Sequence, residues 1–255
     1  MKSFMFGLAL LFACLEAVAD ESSGRVYQPV TDTMAQVDRA LARANEEGKT
    51  ALIVMGANWC HDSRALATHL QEPSIAPELE QEFVIQYVDV GYLERNFDVN
   101  RRFGLPVIFG TPSALLVDPA TGKLLNRDSV HIWGNAASFS AGETRDRLRR
   151  QATAPDNSIE TGGHLAALLE DIDSFEQRQA GRIYAGFKVV GPMLAAYKEG
   201  EEAGEFEHYW KQLYEMRTRL PRDLQRLRRE ARQRVADGET DIQLDFPVYA
   251  AFDWE

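Results

Sequence analysis

Cysteine is nearly absent: the 255 residues contain two, Cys14 and Cys60. Cys14 lies in an N-terminal stretch that reads as an export leader, so the mature chain is expected to hold one thiol and no internal disulfide. Its stability then has to come from core packing. Basic charge is also short, with 28 Lys and Arg against 39 Asp and Glu and a net charge of -11. A phosphate-tracking surface needs concentrated Lys and Arg, so no nucleic-acid partner is expected. Apart from Phe4 to Leu15, which is too short to cross a bilayer, there is no long apolar run, and no membrane span is expected. Glycine-rich phosphate loops and Ser-His-Asp groupings with a local sequence pattern are missing. His61, His69, His131, His164 and His208 are scattered, and the first two are more than two helical turns apart. Neither a metal site nor a cofactor is expected.

The leader has three parts: Lys2 as a positive start, Phe4 to Leu15 as an apolar core, and Ala17-Val18-Ala19 as a small-x-small cleavage site before Asp20. Cleavage after Ala19 makes residues 1–19 a signal peptide and the mature protein periplasmic or secreted. Leu11-Phe12-Ala13-Cys14 resembles a lipoprotein processing site, but Phe12 is bulky for one, so ordinary cleavage is favoured over a lipoprotein at Cys14. The leader takes Lys2 and Glu16 with it, and the acidity is unchanged.

From Thr31 to Glu47, Met34, Val37, Leu41 and Ala44 recur at helical spacing, and Gly48 ends the segment. Ala51 to Met55 is a continuous apolar run of strand length, as expected of a strand buried on both faces. Helix is predicted from Trp59 to Leu70, resuming after Pro73 to Glu82. A strand from Phe83 to Val90 follows, then a helix from Glu94 to Phe103 closed by Gly104. Ser113 to Val117 and Lys123 to Asn126 read as two strands around the turn Asp118-Pro119-Ala120-Thr121-Gly122. Glu143 to Gln151 reads as a charged helix. This order predicts a mixed α/β sheet with helices on both faces.

Residues 152–163 are rich in Thr, Pro, Asn and Gly and read as a linker. Residues 164–255 read as a helical C-terminal extension of three to five amphipathic helices. Gly191-Pro192 is expected to kink or break the second helix, and Phe246 to Trp254 forms an apolar tail. The basic stretch Arg226 to Arg234 reads as a solvated helix face. Its sharper alternative is a contact with an acidic partner protein or with the acidic body of the same chain.

Trp59-Cys60-His61-Asp62-Ser63 follows the apolar run and opens a predicted helix, and Gly110-Thr111-Pro112 precedes the next strand. Together with the terminal hairpin and helix, these features resemble the thioredoxin superfamily over about Thr31 to Gln151. The resemblance implies a thioredoxin-like domain at residues 20–151, a three-layer mixed sheet with helices on both faces. It also implies a cis proline at Thr111-Pro112 facing the cysteine, with Leu105-Pro106 as a competing pair that abuts the apolar run less well. Trp59, Thr111 and Pro112 would flank bound substrate.

Two departures from the family pattern are mutually consistent. Ser63 stands in place of the second cysteine, and Val54 in place of the buried acid that serves it. A helix N-terminus favours thiolate, the nucleophilic form of cysteine. Ser63 lies one turn on and could donate a hydrogen bond to the Cys60 sulfur, and His61 could add positive charge beside it, partly opposed by Asp62. A lone thiol cannot release itself from a mixed disulfide. What remains is disulfide rearrangement, exchange with a small thiol or long-lived capture of a cysteine-containing protein. The alternative is a redox-inactive binding or adaptor module that uses the helical extension.

Overall fold

The computed structural model describes residues 25–153 and 163–255. The leader with Cys14, and most of the 152–163 linker, lie outside the described residues. The first helix, α1 (Thr33–Glu47), starts where the Asp32 carboxylate accepts from Ala35 N at 2.9 Å and stops where Gly48 turns left-handed. Strand β1 (Thr50–Gly56) pairs in parallel with β2 (Phe83–Asp89), Thr50 facing Phe83, and antiparallel with β3 (Ser113–Val117), Ala51 facing Val117. The order is β2-β1-β3, with β1 central.

The two-residue period of β1 divides the core. Ala51, Ile53 and Met55 point to one face, against Val37, Ala40 and Ala44 of α1. Leu52 and Val54 point to the other, against Leu66 and Leu70 of α2 (His61–Leu70) and Leu148 of α5 (Ala141–Ala152). An uninterrupted apolar run results because both faces are covered. Ser140 and Glu143 form a reciprocal capping box that opens α5.

Three local expectations change. After α3 (Ala76–Glu82) and β2, the helix expected from Glu94 shortens to α4 (Phe97–Arg102), because Leu93 and Asn96 take positive φ of 68° and 61°. Asn96 uses its side chain to donate to Asp89 O at 2.6 Å. The strand expected at Lys123 to Asn126 reduces to one bridge between Leu124 and Val117. The Asn126 side chain takes its place, accepting from Leu116 N and donating to Ala114 O, both at 2.9 Å. Residues Arg127–Ser138 then form an unexpected run of 3-10 turns, broken at Asn135.

The extension is a hairpin of two long helices, α6 (His164–Glu199) and α7 (Phe206–Ala236), rather than three to five. α6 continues through Pro192, although an interior proline costs about 3 kcal/mol, because Val190 and Leu194 beside it are buried in the core of the sheet's α1 face. Gly191 is needed for a close approach: a Cβ there would lie 2.5 Å from Tyr92 O, in the loop after β2. Gly191→Ala is therefore expected to destabilise by about 1–3 kcal/mol despite alanine's helix propensity. Gly181→Ala, in the same helix with nothing within 4 Å, should stabilise by about 0.5–1 kcal/mol. Urea midpoints moving in opposite directions would establish the contrast.

The basic stretch on α7 finds its carboxylates within the chain. The Arg228 guanidinium, 7% exposed, donates to Glu176 at 2.6 Å and Asp173 at 2.9 Å on α6 and approaches Asp128 at 3.5 Å. Arg127 joins it on Glu176 at 2.9 Å. Arg226 pairs with Glu230 and Arg234 with Glu239. The solvated-face reading is corrected at Arg228, whose charge is met by Glu176 and Asp173 within the hairpin, with Asp128 adding a longer contact to the Arg127–Ser138 segment. The tail also docks, Tyr249 stacking on Phe175, Phe246 meeting it at a tilt and Glu255 pairing with Arg182.

Candidate active site

At the end of β1 the chain turns through Ala57, Asn58 and Trp59, and Cys60 caps α2 in an extended conformation. Tyr27 braces this turn. Its backbone N donates to Asn58 Oδ1 at 3.3 Å, Asn58 Nδ2 donates to its carbonyl at 2.6 Å, and its phenol donates to Ser63 O at 3.1 Å. The phenol end of the ring lies against Gly56, where a Cβ would sit 2.5 Å from Tyr27 Cζ. Burial, then the neighbouring Tyr87 and Cys60, push the phenol well above its ordinary range, so it stays protonated.

Cys60 is 9% exposed, and its Sγ donates to Thr111 O at 3.2 Å. The Thr111–Pro112 peptide bond is cis. Trp59 flanks the sulfur's approach, its indole donating to Gly91 O at 2.7 Å and its ring stacking on Tyr92. Trp59, Cys60, Thr111 and Pro112 thus line one cavity of about 600 Å³.

Ser63 and His61 do not join them. Ser63 is fully buried beneath the turn, and its Oγ accepts from Ala57 N at 3.3 Å. No hydrogen bond to Cys60 forms among the described residues, since the sulfur is turned toward Thr111. His61, in the first turn of α2, faces solvent outside the cavity. Asp62 does reach the cavity, where its carboxylate accepts from Ala137 N at 3.0 Å. Among the described residues no group of three or more His, Cys, Asp or Glu side chains is arranged to hold a metal ion.

Residues 32–119 match the family model for a thioredoxin-like domain. That stretch, in this fold, is a thioredoxin-like domain. The thioredoxin-like unit is joined to a helical C-terminal region. A solved structure described as a disulphide isomerase from Xylella fastidiosa Temecula1 is 29% identical, with 50% of this chain and 97% of that one aligned at a TM-score of 0.47. Comparison with curated proteins returns no match.

Residues 32–119 supply only part of the cavity wall. His131, Ile132, Gly134 and Asn135 come from the 3-10 segment, and Trp210, Tyr214, Arg217, Thr218, Pro221 and Arg222 from α7. Sequence reasoning missed these. A signal existed at Arg217, which falls in the helical stripe of Leu213, Leu220 and Leu224, where a charge is out of place. Arg217 is 6% exposed and stands over the rings of Trp210 at 4.7 Å and Phe187 at 5.7 Å. Burial lowers its guanidinium to about 10, against the opposing pull of Tyr214 and Cys60, so it is still charged at neutral pH. Burial, followed by the nearby Arg222, lowers His131 and favours neutral imidazole.

No helix of the described residues is long and apolar enough to cross a membrane.

Proposed function

We propose that this chain carries out thiol–disulfide exchange through Cys60 as a single reactive thiol. The observation that carries the reading is the placement of Cys60 at the first turn of α2, its sulfur against Thr111 O and open to the cavity between Trp59 and Pro112. Thiolate is the form that attacks disulfides. With serine at position 63, a mixed disulfide at Cys60 must be released by a thiol from outside the protein or from the bound substrate itself. The chemistry suits rearrangement of substrate disulfides or exchange with small thiols, and it needs no cofactor. Trp59, Thr111 and Pro112 bind substrate around the sulfur, while Ser63 supports the turn. Residues 1–19 serve as a leader for export, which places the thiol in an oxidising compartment. The mature chain is then a thioredoxin-like domain at 20–151, a linker at 152–163 and a helical extension at 164–255.

Incubation with a protein carrying scrambled disulfides, in the presence of a small thiol, should restore that protein's native pairing with no net change in free thiols. Cys60→Ala should lose this activity and every covalent intermediate seen by intact-mass spectrometry. Activity retained in Cys60→Ala would remove Cys60 from the mechanism. The extension's share of the cavity wall favours a second reading, a non-covalent binding module. On that reading Cys60→Ser is tolerated and loss of the residues after Gly163 abolishes function.

A further inference from the structure

We infer that the Cys60 cleft selects small disulfides and thiols carrying a carboxylate, held by Arg217 of α7. This rests on Cys60 being the reacting thiol and adds what that thiol reacts with. Arg217 is buried, yet its Nε has no hydrogen-bond partner and no carboxylate pairs with it among the described residues. A buried charged donor left unpaired is costly, so its place beside the reactive sulfur calls for a ligand. The guanidinium lines the same cavity as Cys60, with Nη1 3.7 Å from where a Cβ on Gly110 would sit, next to the Thr111 carbonyl that holds the sulfur.

The chemistry of the ligand follows from the donors. Nε is buried behind the terminal nitrogens, and none of the three donates to a described residue; the two Nη groups form a planar fork that fits the two oxygens of a carboxylate end-on. Around it are aromatic rings rather than competing anions. Asp62, also on the wall, is engaged with Ala137 N, and the cation Arg222 stands nearer the surface. A cavity of about 600 Å³ is the size of a small-molecule site.

In the reaction the Cys60 thiolate attacks one sulfur of the bound disulfide. A new S–S bond joins the protein to half of the ligand. The old S–S bond breaks, with its electron pair left on the departing thiolate, which takes a proton from water. Cys60 is oxidised and the departing half reduced, so the step balances without another reagent.

The test uses the full mature chain and two symmetrical disulfides of similar size, anionic 3,3′-dithiodipropionate and neutral bis(2-hydroxyethyl) disulfide. Labelling of Cys60 is timed by intact mass, and the anionic-to-neutral rate ratio is compared with that of free 2-mercaptoethanol. The wild-type ratio should exceed the free thiol's by about tenfold to a hundredfold, the range for a charge-assisted pair. Arg217→Met should bring it down to the free-thiol value. A wild-type ratio equal to the free thiol's, or an unchanged ratio in Arg217→Met, overturns the inference while leaving exchange at Cys60 standing. Failure of both probes to label Cys60 overturns the exchange reading and this inference with it. Should Arg217→Met not fold, protection of the wild type decides. 3-(Methylthio)propionate, which has a carboxylate but no exchangeable sulfur, should slow labelling by the neutral probe, whereas its methyl ester should not. Equal effects of acid and ester overturn the inference.

Discussion

On the proposed single-thiol chemistry, Ser63→Cys should shorten the life of any mixed disulfide formed at Cys60. Position 63 is one helical turn beyond Cys60 in α2 and fully buried beneath it, so a thiol there would be the nearest nucleophile to any disulfide formed at Cys60. An intramolecular attack of this kind is favoured over attack by an outside thiol by effective concentration alone, and even a loosely aligned pair should shorten the intermediate's lifetime at least tenfold, at roughly the low end of such effects. The gain should be incomplete. Val54 is packed in the apolar core where a proton-transferring acid would be needed, so Val54→Asp added to Ser63→Cys is expected to accelerate release further if the fold tolerates it. Quenched-flow trapping followed by mass analysis gives the lifetime. An equally persistent mixed disulfide in Ser63→Cys would mean that position 63 cannot reach the Cys60 sulfur.

The largest loss of stability is expected from Glu176→Ala. The Glu176 carboxylate is 1% exposed and takes hydrogen bonds from Arg228 on α7 and Arg127 of the 3-10 segment. Its removal leaves Arg228 buried with a diminished set of anions, and breaking a buried pair from one side costs about 3–5 kcal/mol. Asp173 and Asp128 remain close to Arg228, so the lower end of that range applies. For a chain of this size that is a fall in melting temperature of roughly 6–12 °C. Asp173→Ala removes a half-exposed partner of the same arginine and should cost less than about 1 kcal/mol. Equal effects from the two substitutions would contradict the view that Glu176 anchors the hairpin.

The parts of this molecule that could be read from the sequence are those where one physical rule acts alone. β1 is apolar throughout because both its faces are buried, α1 ends at a glycine that turns left-handed, and Trp59, Cys60, Thr111 and Pro112 carry their own pattern. The misread parts are those where a side chain takes over work usually done by the backbone, or where tertiary packing overrides local preference. Asn126 replaces strand pairing with its amide, so the hairpin pattern around Asp118 to Gly122 was right about the turn and wrong about the second strand. Asn96 enters the left-handed region and shortens the helix expected from Glu94. Gly191-Pro192 looks like a break, yet the close approach to Tyr92 and the buried residues on either side hold α6 together. The 3-10 segment buries Val130, Trp133 and Ala136 at three-residue spacing, a short repeat interrupted by Gly134 and Asn135. Arg217 could have been noticed as a charge in an apolar stripe, but only the packed structure shows which cavity it faces.

α7 forms one wall of the Cys60 cleft although it lies far from that cysteine in the chain. With exchange at Cys60 as proposed, reactivity and choice of substrate would fall to separate stretches of sequence. Changes along Trp210, Tyr214 and Arg217 can alter what the cleft admits while the nucleophile and its supporting turn stay as they are. A chain built this way can diversify its diet of substrates by drift in a helix that takes no part in the bond-making step.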